Sequence, residues 1–427
     1  MNYYIFGTGV SGFSALAFLM HEYRPTIEQI VFIEDETTKK ILKTSFGDFN
    51  IKEARSINSP NQTDQLILSP AVPMSHPTVM LFRKANCHIY SEVELFQKST
   101  LLDHYQTIAV TGTNGKSTTT VMIDHLLNSS GKTSYACGNI GTSPSEQLFK
   151  TRKNTAPVFC LELSSYQLEQ VQSLKAEAVV FTNFSLDHQE RHKSMDNYFR
   201  AKWRIVEMNL ESILVTTSSI VDIASSLKLP LPKNVLLEDQ WTKHKDIVCP
   251  FISTSHDQTN ACMAIEVVSH ISGLSPGELG DHLSSFKPLE HRCEHFATWE
   301  GKKFVNDSKS TNVDSTKTAL DSYSEPLILI LGGISKKEGF GAISKYKQVK
   351  DIYLFGQDAS YIANSTKWNA NVYIYQTLDE VLNDMFSKIQ KNVKTVLFSP
   401  GCASFDQYKN FEQRGDFFKK EVLRRLK

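Results

Sequence analysis

Neither sign of charge predominates in this chain. Lysine plus arginine and aspartate plus glutamate each number 46, for a formal net charge of zero. A nucleic-acid binder normally carries a basic excess with which to release phosphate counterions, so the balance argues against that class and against a membrane-surface protein. A local basic cleft for phosphates stays compatible with it. Cysteines are few and scattered. The seven (Cys87, Cys137, Cys160, Cys249, Cys262, Cys293 and Cys402) are odd in number, widely spaced and include no C-x-x-C. That argues against a disulfide framework or a cysteine zinc site, and points to buried free thiols in a reducing cytoplasm. The start lacks the positive n-region of a signal peptide, and no apolar run is long enough to span a bilayer. A cytoplasmic, monomeric protein with no nucleic-acid or membrane partner is expected.

What is present is a series of short apolar runs, each closed by glycine, serine or an acidic residue. A chain of 427 residues exceeds what one hydrophobic core usually supports, so two or three domains are expected. Tyr3–Phe6 reads as a buried strand. It is followed by Gly7-x-Gly9-x-x-Gly12, a helical pattern through Met20, and a second strand, Ile30–Ile33, ending at Glu34-Asp35. Leu66–Leu68 stops at Ser69-Pro70. The theme repeats with Thr107–Val110, a second glycine loop and a helix from about Lys116. The strands Val158–Leu161 and Ala178–Thr182 end at Glu162 and Asn183. Reactive candidates thus fall at the carboxyl ends of strands, where open parallel sheets bind ligands. Residues from about Ser212 to His256 show no clear pattern, and Cys262–Ile271 reads as helical. From Pro288 onward, strands are expected at Leu327–Leu331, Ile352–Phe355, Val372–Tyr375 and Val396–Phe398. There is no low-complexity tract or short-period repeat.

The second glycine loop, Gly112-Thr113-Asn114-Gly115-Lys116-Ser117-Thr118, has the parts of an anion site. Backbone N–H groups and a helix dipole point at phosphates, a lysine reaches the outer ones, and a serine hydroxyl can ligate magnesium. The common textual pattern has its first glycine where Val110 stands, so the generic match is incomplete. The continuous string Thr111–Thr120 is more specific. The first glycine loop, with Glu34-Asp35, nearly completes a dinucleotide fingerprint and leaves an NAD oxidoreductase open as an alternative. The pairs His188-x-x-x-His192 and His291-x-x-x-His295 resemble half-sites for zinc but lack a second ligand pair.

The string Thr-Gly-Thr-Asn-Gly-Lys-Ser-Thr resembles the ATP loop of the Mur ligase family, which also includes folylpolyglutamate synthases. Further segments follow in the family's order. They are Leu161–Glu169; Asn183-x-x-x-Asp187-His188-x-x-x-Arg191-His192 with Tyr198-x-x-Ala201-Lys202; Asn306–Asn312; and Cys402–Asp406 with Lys409–Gly415. The last two resemble the family's D-glutamate-adding branch. The resemblance implies an α/β protein of three consecutive α/β domains. These are a Rossmann-like UDP-substrate domain (1–100), a central P-loop ATPase-like parallel sheet binding ATP (101–287), and a Rossmann-like C-terminal domain (288–427) that binds the incoming amino acid and closes over ATP.

It also implies roles. Lys116, His188 and Lys202 would be catalytic. Gly112, Thr113, Asn114, Gly115, Lys116, Ser117, Thr118, Asn260, Arg292 and Asp307 would bind ATP. Ser117, Glu162, His188 and Lys202 would hold two Mg2+ ions, Lys202 as its carbamate. Thr8, Gly9, Val10 and Ser11 would lie near the substrate pyrophosphate and Asp35 near the uracil. Ser69 and Asn139 would make further substrate contacts. Lys309, Thr311, Lys336 (or its neighbour Lys337), Ser404 and Phe411 would form a D-glutamate pocket, since a dicarboxylate needs cations and hydroxyls. The implied reaction joins D-glutamate to UDP-N-acetylmuramoyl-L-alanine through an acyl phosphate, with ATP consumed, in peptidoglycan precursor synthesis. A family ligase with another acceptor remains the nearest alternative. The chain departs from the family where His256-Asp257 replaces a His-Asn pair ahead of Asn260.

Overall fold

The apolar runs become strands buried on both faces, which is why they read as continuous rather than alternating. In the computed structural model, residues 1–37, 40–100, 104–151, 156–239, 241, 255–287, 289–337, 339–389 and 392–426 are described. Cys249, the side chain of His256 and the expected domain limits at Leu101 and Pro288 lie outside the described residues.

Three six-stranded sheets are present. The first contains β1 (Tyr3–Phe6), β2 (Ile30–Glu34), β3 (Ile41–Thr44), β4 (Gly47–Glu53), β5 (Gln65–Leu68) and β6 (His88–Ser91), in the order β3-β4-β2-β1-β5-β6. It is parallel except for the β3–β4 hairpin. Alternation along the strands divides the core: Tyr3, Ile5, Phe32 and Ile67 pack on one side, Phe6, Ile33, Leu66 and Leu68 on the other.

The second sheet contains β7 (Gln106–Thr111), β8 (Ser134–Gly138), β9 (Val158–Glu162), β10 (Ala178–Phe181), β11 (Ile213–Thr216) and β12 (Asn234–Leu236). Its order is β12-β11-β10-β7-β9-β8. The register pairs Val110 with both Glu162 and Val180, so the phosphate loop leaves the sheet between the ends of β9 and β10.

The third sheet contains β13 (Glu294–Trp299), β14 (Lys302–Asn306), β15 (Leu327–Gly332), β16 (Val349–Phe355), β17 (Asn371–Ile374) and β18 (Thr395–Phe398), in the order β13-β14-β18-β15-β16-β17. Only the β13–β14 pair is antiparallel. Leu327, Leu329 and Leu331 face one core, Ile328 and Ile330 the other.

The chain forms two compact units, Met1–Val248 with Thr259–Ser285, and Cys249–Gln258 with Phe286–Lys427. The first unit holds two of the sheets. Their seam uses two buried carboxylates on the helix Glu92–Gln97. Glu92 accepts from the Ser145 amide (2.8 Å) and Glu94 from the Gln172 amide (2.9 Å). No helix among the described residues is long and apolar enough to cross a membrane.

Candidate active site

The first glycine loop closes tightly on its own sheet. Gly7 adopts φ +111°, and a Cβ there would lie 2.3 Å from Ser69 Oγ; a Cβ on Gly12 would lie 2.0 Å from the Gly7 carbonyl. Ser69 is therefore packed against the loop, and its carbonyl accepts from Gln170 Nε2 (3.0 Å). The Thr8 amide donates to Glu34 (2.6 Å), while the largely exposed Asp35 pairs with His76 (2.9 Å). Thr8, Gly9, Val10, Ser11, Asp35 and Ser69 thus share the carboxyl edge of β1, β2 and β5. Val10 stands exposed at the start of the helix Val10–Phe18.

At the second loop, the strand β7 turns at Gly112 (φ +140°) and Gly115 (φ +78°) into the helix Lys116–Ser129. No side chain caps that helix start, the arrangement in which first-turn amides serve an anion. The loop is held by the segment after β10. The Thr113 amide donates to the Asn183 carbonyl (2.9 Å) and the Asn114 amide to Asn183 Oδ1 (2.9 Å). The Asn114 carbonyl accepts from Thr182 Oγ1 (2.6 Å) and Asn183 Nδ2 (3.0 Å). The amides of Thr113 and Asn114 are therefore scaffold.

A Cβ on Gly115 would lie 2.6 Å from Asn260 Oδ1, so Asn260 closes the loop from the opposite side. Gly115→Ala is expected to add about 1–2 kcal/mol of left-handed strain and to displace Asn260. Its melting temperature and phosphate release should both fall. Wild-type values for both would show that this contact does not shape the loop.

Lys202 is 1% exposed, although a helical lysine is usually solvated. Ser194 caps its helix, Met195–Glu207, by accepting from the Asn197 amide (3.1 Å). Phe199 and Trp203, one turn apart, stack at 5.4 Å, and Phe199 stacks on Phe181 at 5.5 Å. Such pairs contribute about 0.5–1.5 kcal/mol each beyond burial. They fix the rotation of the helix, so that Tyr198 and Lys202 face the phosphate loop. Lys202 Nζ donates to the Gly112 carbonyl (2.5 Å) and lies 4.7 Å from the Tyr198 ring centre. Burial, then the Lys116 cation, holds the Lys202 amine well below its ordinary range; Asp187 and Glu162 oppose the shift. Lys116 Nζ donates to the Thr113 carbonyl (2.7 Å).

Glu162 is buried at the end of β9 and accepts from Asn139 Nδ2 (2.8 Å), joining a candidate metal ligand to a candidate substrate residue. His188 sits in the left-handed region (φ +52°) ahead of the helix Gln189–His192. Its Nε2 faces the buried Asp187 at 3.6 Å. Ser117 is buried in the first turn of its helix. Among the described residues, the one tight grouping of three potential His, Cys or carboxylate ligands is Glu290, His291 and Asp416, away from these candidates in the chain. The donor set nonetheless suits magnesium, which takes one or two carboxylates and fills its shell with phosphate and water.

In the second unit the carboxyl ends of β14, β15 and β18 converge. Asp307 is buried and accepts from Ser310 Oγ (2.5 Å), Ser399 Oγ (2.7 Å) and the Cys293 amide (3.2 Å). Burial pushes its carboxyl up to about 6 against those hydrogen bonds and the pull of Arg292. Lys309 Nζ lies 4.3 Å from the Phe411 ring centre. The loop carrying Ser404 joins this group through Arg414, which donates to Ser308 Oγ (3.0 Å), the Ser308 carbonyl (2.7 Å) and the Cys402 carbonyl (2.9 Å). An Ile334–Ala403 bridge brings in the loop bearing exposed Lys336. Lys337 lies over Tyr361 instead (5.8 Å). Thr311 is half-buried beside Ser310.

Sequence reasoning assigns no role to four residues of evident structural weight, Asp187, Thr182, Asn183 and Arg414. The signal for three of them was position, after a strand or beside a motif histidine. Arg414 adjoins Gly415, where a Cβ would lie 2.3 Å from His291 Nδ1.

The Mur ligase middle domain matches residues 110–272, and the Mur ligase glutamate ligase domain matches residues 291–402. A UDP-N-acetylmuramoylalanine–D-glutamate ligase of Rickettsia prowazekii (strain Madrid E) is 31% identical, over 97% of this chain and 96% of its own. The enzyme of the same name from Caldicellulosiruptor bescii is 34% identical, over 84% and 83%. Among solved structures, the MurF ligase of Thermotoga maritima in complex with ADP superposes with a TM-score of 0.60 at 15% identity, over 93% and 96%. At that identity the likeness concerns the fold.

Proposed function

The chain belongs to the Mur ligase family, and we propose that, as an ATP-dependent amide ligase, it joins D-glutamate to UDP-N-acetylmuramoyl-L-alanine in cytoplasmic peptidoglycan precursor synthesis. The observation that carries the chemistry is the uncapped start of the helix Lys116–Ser129, with Lys116, Lys202, Asp187 and Glu162 gathered around it. The NAD reading of the first glycine loop is not favoured, because relatives covering nearly the whole chain are D-glutamate ligases.

The division of labour follows the three sheets. Residues 1–100 would hold the UDP-sugar, with Thr8, Gly9, Val10, Ser11, Asp35 and Ser69 at the edge of the first sheet and Asn139 reaching its acyl end. Residues 101–287 would hold ATP on Gly112–Thr118 with Asn260. Residues 288–427 would supply Arg292 and Asp307 to the nucleotide and Lys309, Thr311, Lys336, Ser404 and Phe411 to D-glutamate.

The substrate carboxylate attacks the γ-phosphorus while Lys116 and the helix amides neutralise the growing charge on the phosphoryl oxygens. ADP leaves. The amine of D-glutamate then attacks the acyl carbonyl, the C–O bond to phosphate breaks, and amide and phosphate result. Ser117, Glu162, His188 and a carbamylated Lys202 would hold magnesium, which when bound screens the triphosphate as a Lewis acid. A depressed Lys202 pKa favours the carbamate, since only the neutral amine adds to carbon dioxide.

Phosphate release from ATP is expected only when UDP-N-acetylmuramoyl-L-alanine and D-glutamate are both present. Release with neither, or equal release with L-glutamate, would overturn the assignment.

A further inference from the structure

The phenol of Tyr166 stands outside the residue roles of the proposed reaction. This residue lies in the helix Ser165–Gln170, immediately after β9 and its buried Glu162. Its hydroxyl is 3.2 Å from His188 Nδ1 and donates to Glu190 Oε1 at 3.3 Å. The Tyr166 and His188 rings lie 5.0 Å apart at 58°, and the Arg191 guanidinium covers the Tyr166 ring at 5.1 Å. Arg191 is itself fixed by Glu169 (2.9 Å) and by the carbonyls of Ala71 and Val72. The phenol is therefore clamped on its face and set between His188 Nδ1 and the Glu190 carboxylate, the phenol being nearer to that nitrogen than Glu190 Oε1, which lies 3.5 Å from it.

We propose that Tyr166 is a positioning residue for the metal site. His188 Nδ1–H donates to the phenol oxygen, and the phenol donates to the Glu190 carboxylate. Holding the proton on Nδ1 leaves the Nε2 lone pair directed toward the buried Asp187, 3.6 Å away, on the side where a divalent cation can be shared. A histidine ligand needs its non-ligating nitrogen fixed in this way, because the partner at that nitrogen sets both tautomer and ring orientation. The left-handed backbone at His188 adds to the case (φ +52°). A non-glycine residue rarely adopts it unless its surroundings impose it. The inference rests on the reading of His188 as a magnesium ligand.

Tyr166→Phe removes one oxygen from a half-buried ring and leaves the stacking intact, so its melting temperature should match the wild type. With a non-hydrolysable ATP analogue bound, Mn2+ affinity measured by electron paramagnetic resonance is expected to fall by about tenfold. The apparent Mg2+ requirement for turnover should rise alongside, while KM for D-glutamate stays unchanged. In 15N-histidine spectra of the Mg2+- and analogue-bound protein, the Nδ1 resonance of His188, assigned with His188→Ala, should shift in Tyr166→Phe. If His188→Ala weakens Mn2+ binding and Tyr166→Phe does not, the positioning role is wrong and the ligand reading stands. If His188→Ala binds Mn2+ as tightly as the wild type, the ligand reading fails, and this proposal with it.

Discussion

Replacing Lys116 by alanine is expected to reduce ATP-dependent phosphate release by on the order of a thousandfold, the cost of removing a charged group aimed at a transferring phosphoryl. The structural damage should be small. In the folded chain the ammonium donates to the Thr113 carbonyl of its own loop. Losing that bond costs about 1 kcal/mol, and alanine is the best helix former for the first turn it would occupy. A near-native melting curve with lost turnover is therefore the expected pair of results. A second effect follows from the neighbouring amine. Lys116 is one of the causes that hold Lys202 below its ordinary range, so the variant should raise the Lys202 pKa and disfavour its carbamate. Near-normal turnover in Lys116→Ala would remove the phosphate-loop assignment, whatever happened at Lys202.

Lys116 was legible because local rules converge there. A buried strand, a glycine turn and a helix follow one another directly, and the lysine falls at the helix start. The sheets were legible for a related reason. Runs such as Leu327–Leu331 are apolar throughout only because cores lie on both faces. The strands of the β3–β4 hairpin and β13 were not legible. β3 and β4 carry Lys43, Asp48, Asn50 and Lys52 between their apolar residues, and β13 begins Glu294-His295, so half-solvated edges resemble loops.

The seam between the first two sheets was hidden for a different reason. Glu92 and Glu94 lie in a short helix and look solvated, yet both are buried against amides of the neighbouring domain. Sequence can show that a carboxylate is present but not that a backbone N–H in the next domain will meet it. The same limit applied inside the phosphate loop. Its amides at Thr113 and Asn114 looked like phosphate donors, and only the placement of Asn183 shows them committed to scaffold. In the third sheet the motif points to Lys309 and Phe411 for one pocket but not to the buried Arg414 that binds their loops together, because its three bonds reach carbonyls and a hydroxyl far apart in sequence.

Lys202 is the sharpest instance of what long-range packing adds, and it carries the second large effect. Its local pattern is that of a surface lysine. It is inside because Phe199, Trp203 and Val206 bury the adjoining face and rotate the helix toward Gly112. A lysine so placed is held well below its usual range, so its amine is more open to carbon dioxide than that of an exposed lysine. The sign for stability is the same: a depressed pKa means the unfolded state binds the proton more tightly, so this residue disfavours the fold at low pH and ceases to do so as pH rises toward the ordinary lysine range. Lys202→Ala is accordingly expected to keep or gain resistance to acid while losing activity by on the order of a hundredfold or more, as for loss of a metal-holding group. Two measurements separate the possible causes. With 13C-labelled bicarbonate, the wild type should show a carbamate carbonyl resonance that is missing in Lys202→Ala, and stripping carbon dioxide should lower wild-type turnover reversibly. If the variant is inactive but the wild type shows no such resonance, the lysine acts by holding the Gly112 carbonyl, and the carbamate is wrong. If the variant turns over normally, Lys202 has no part in the chemistry.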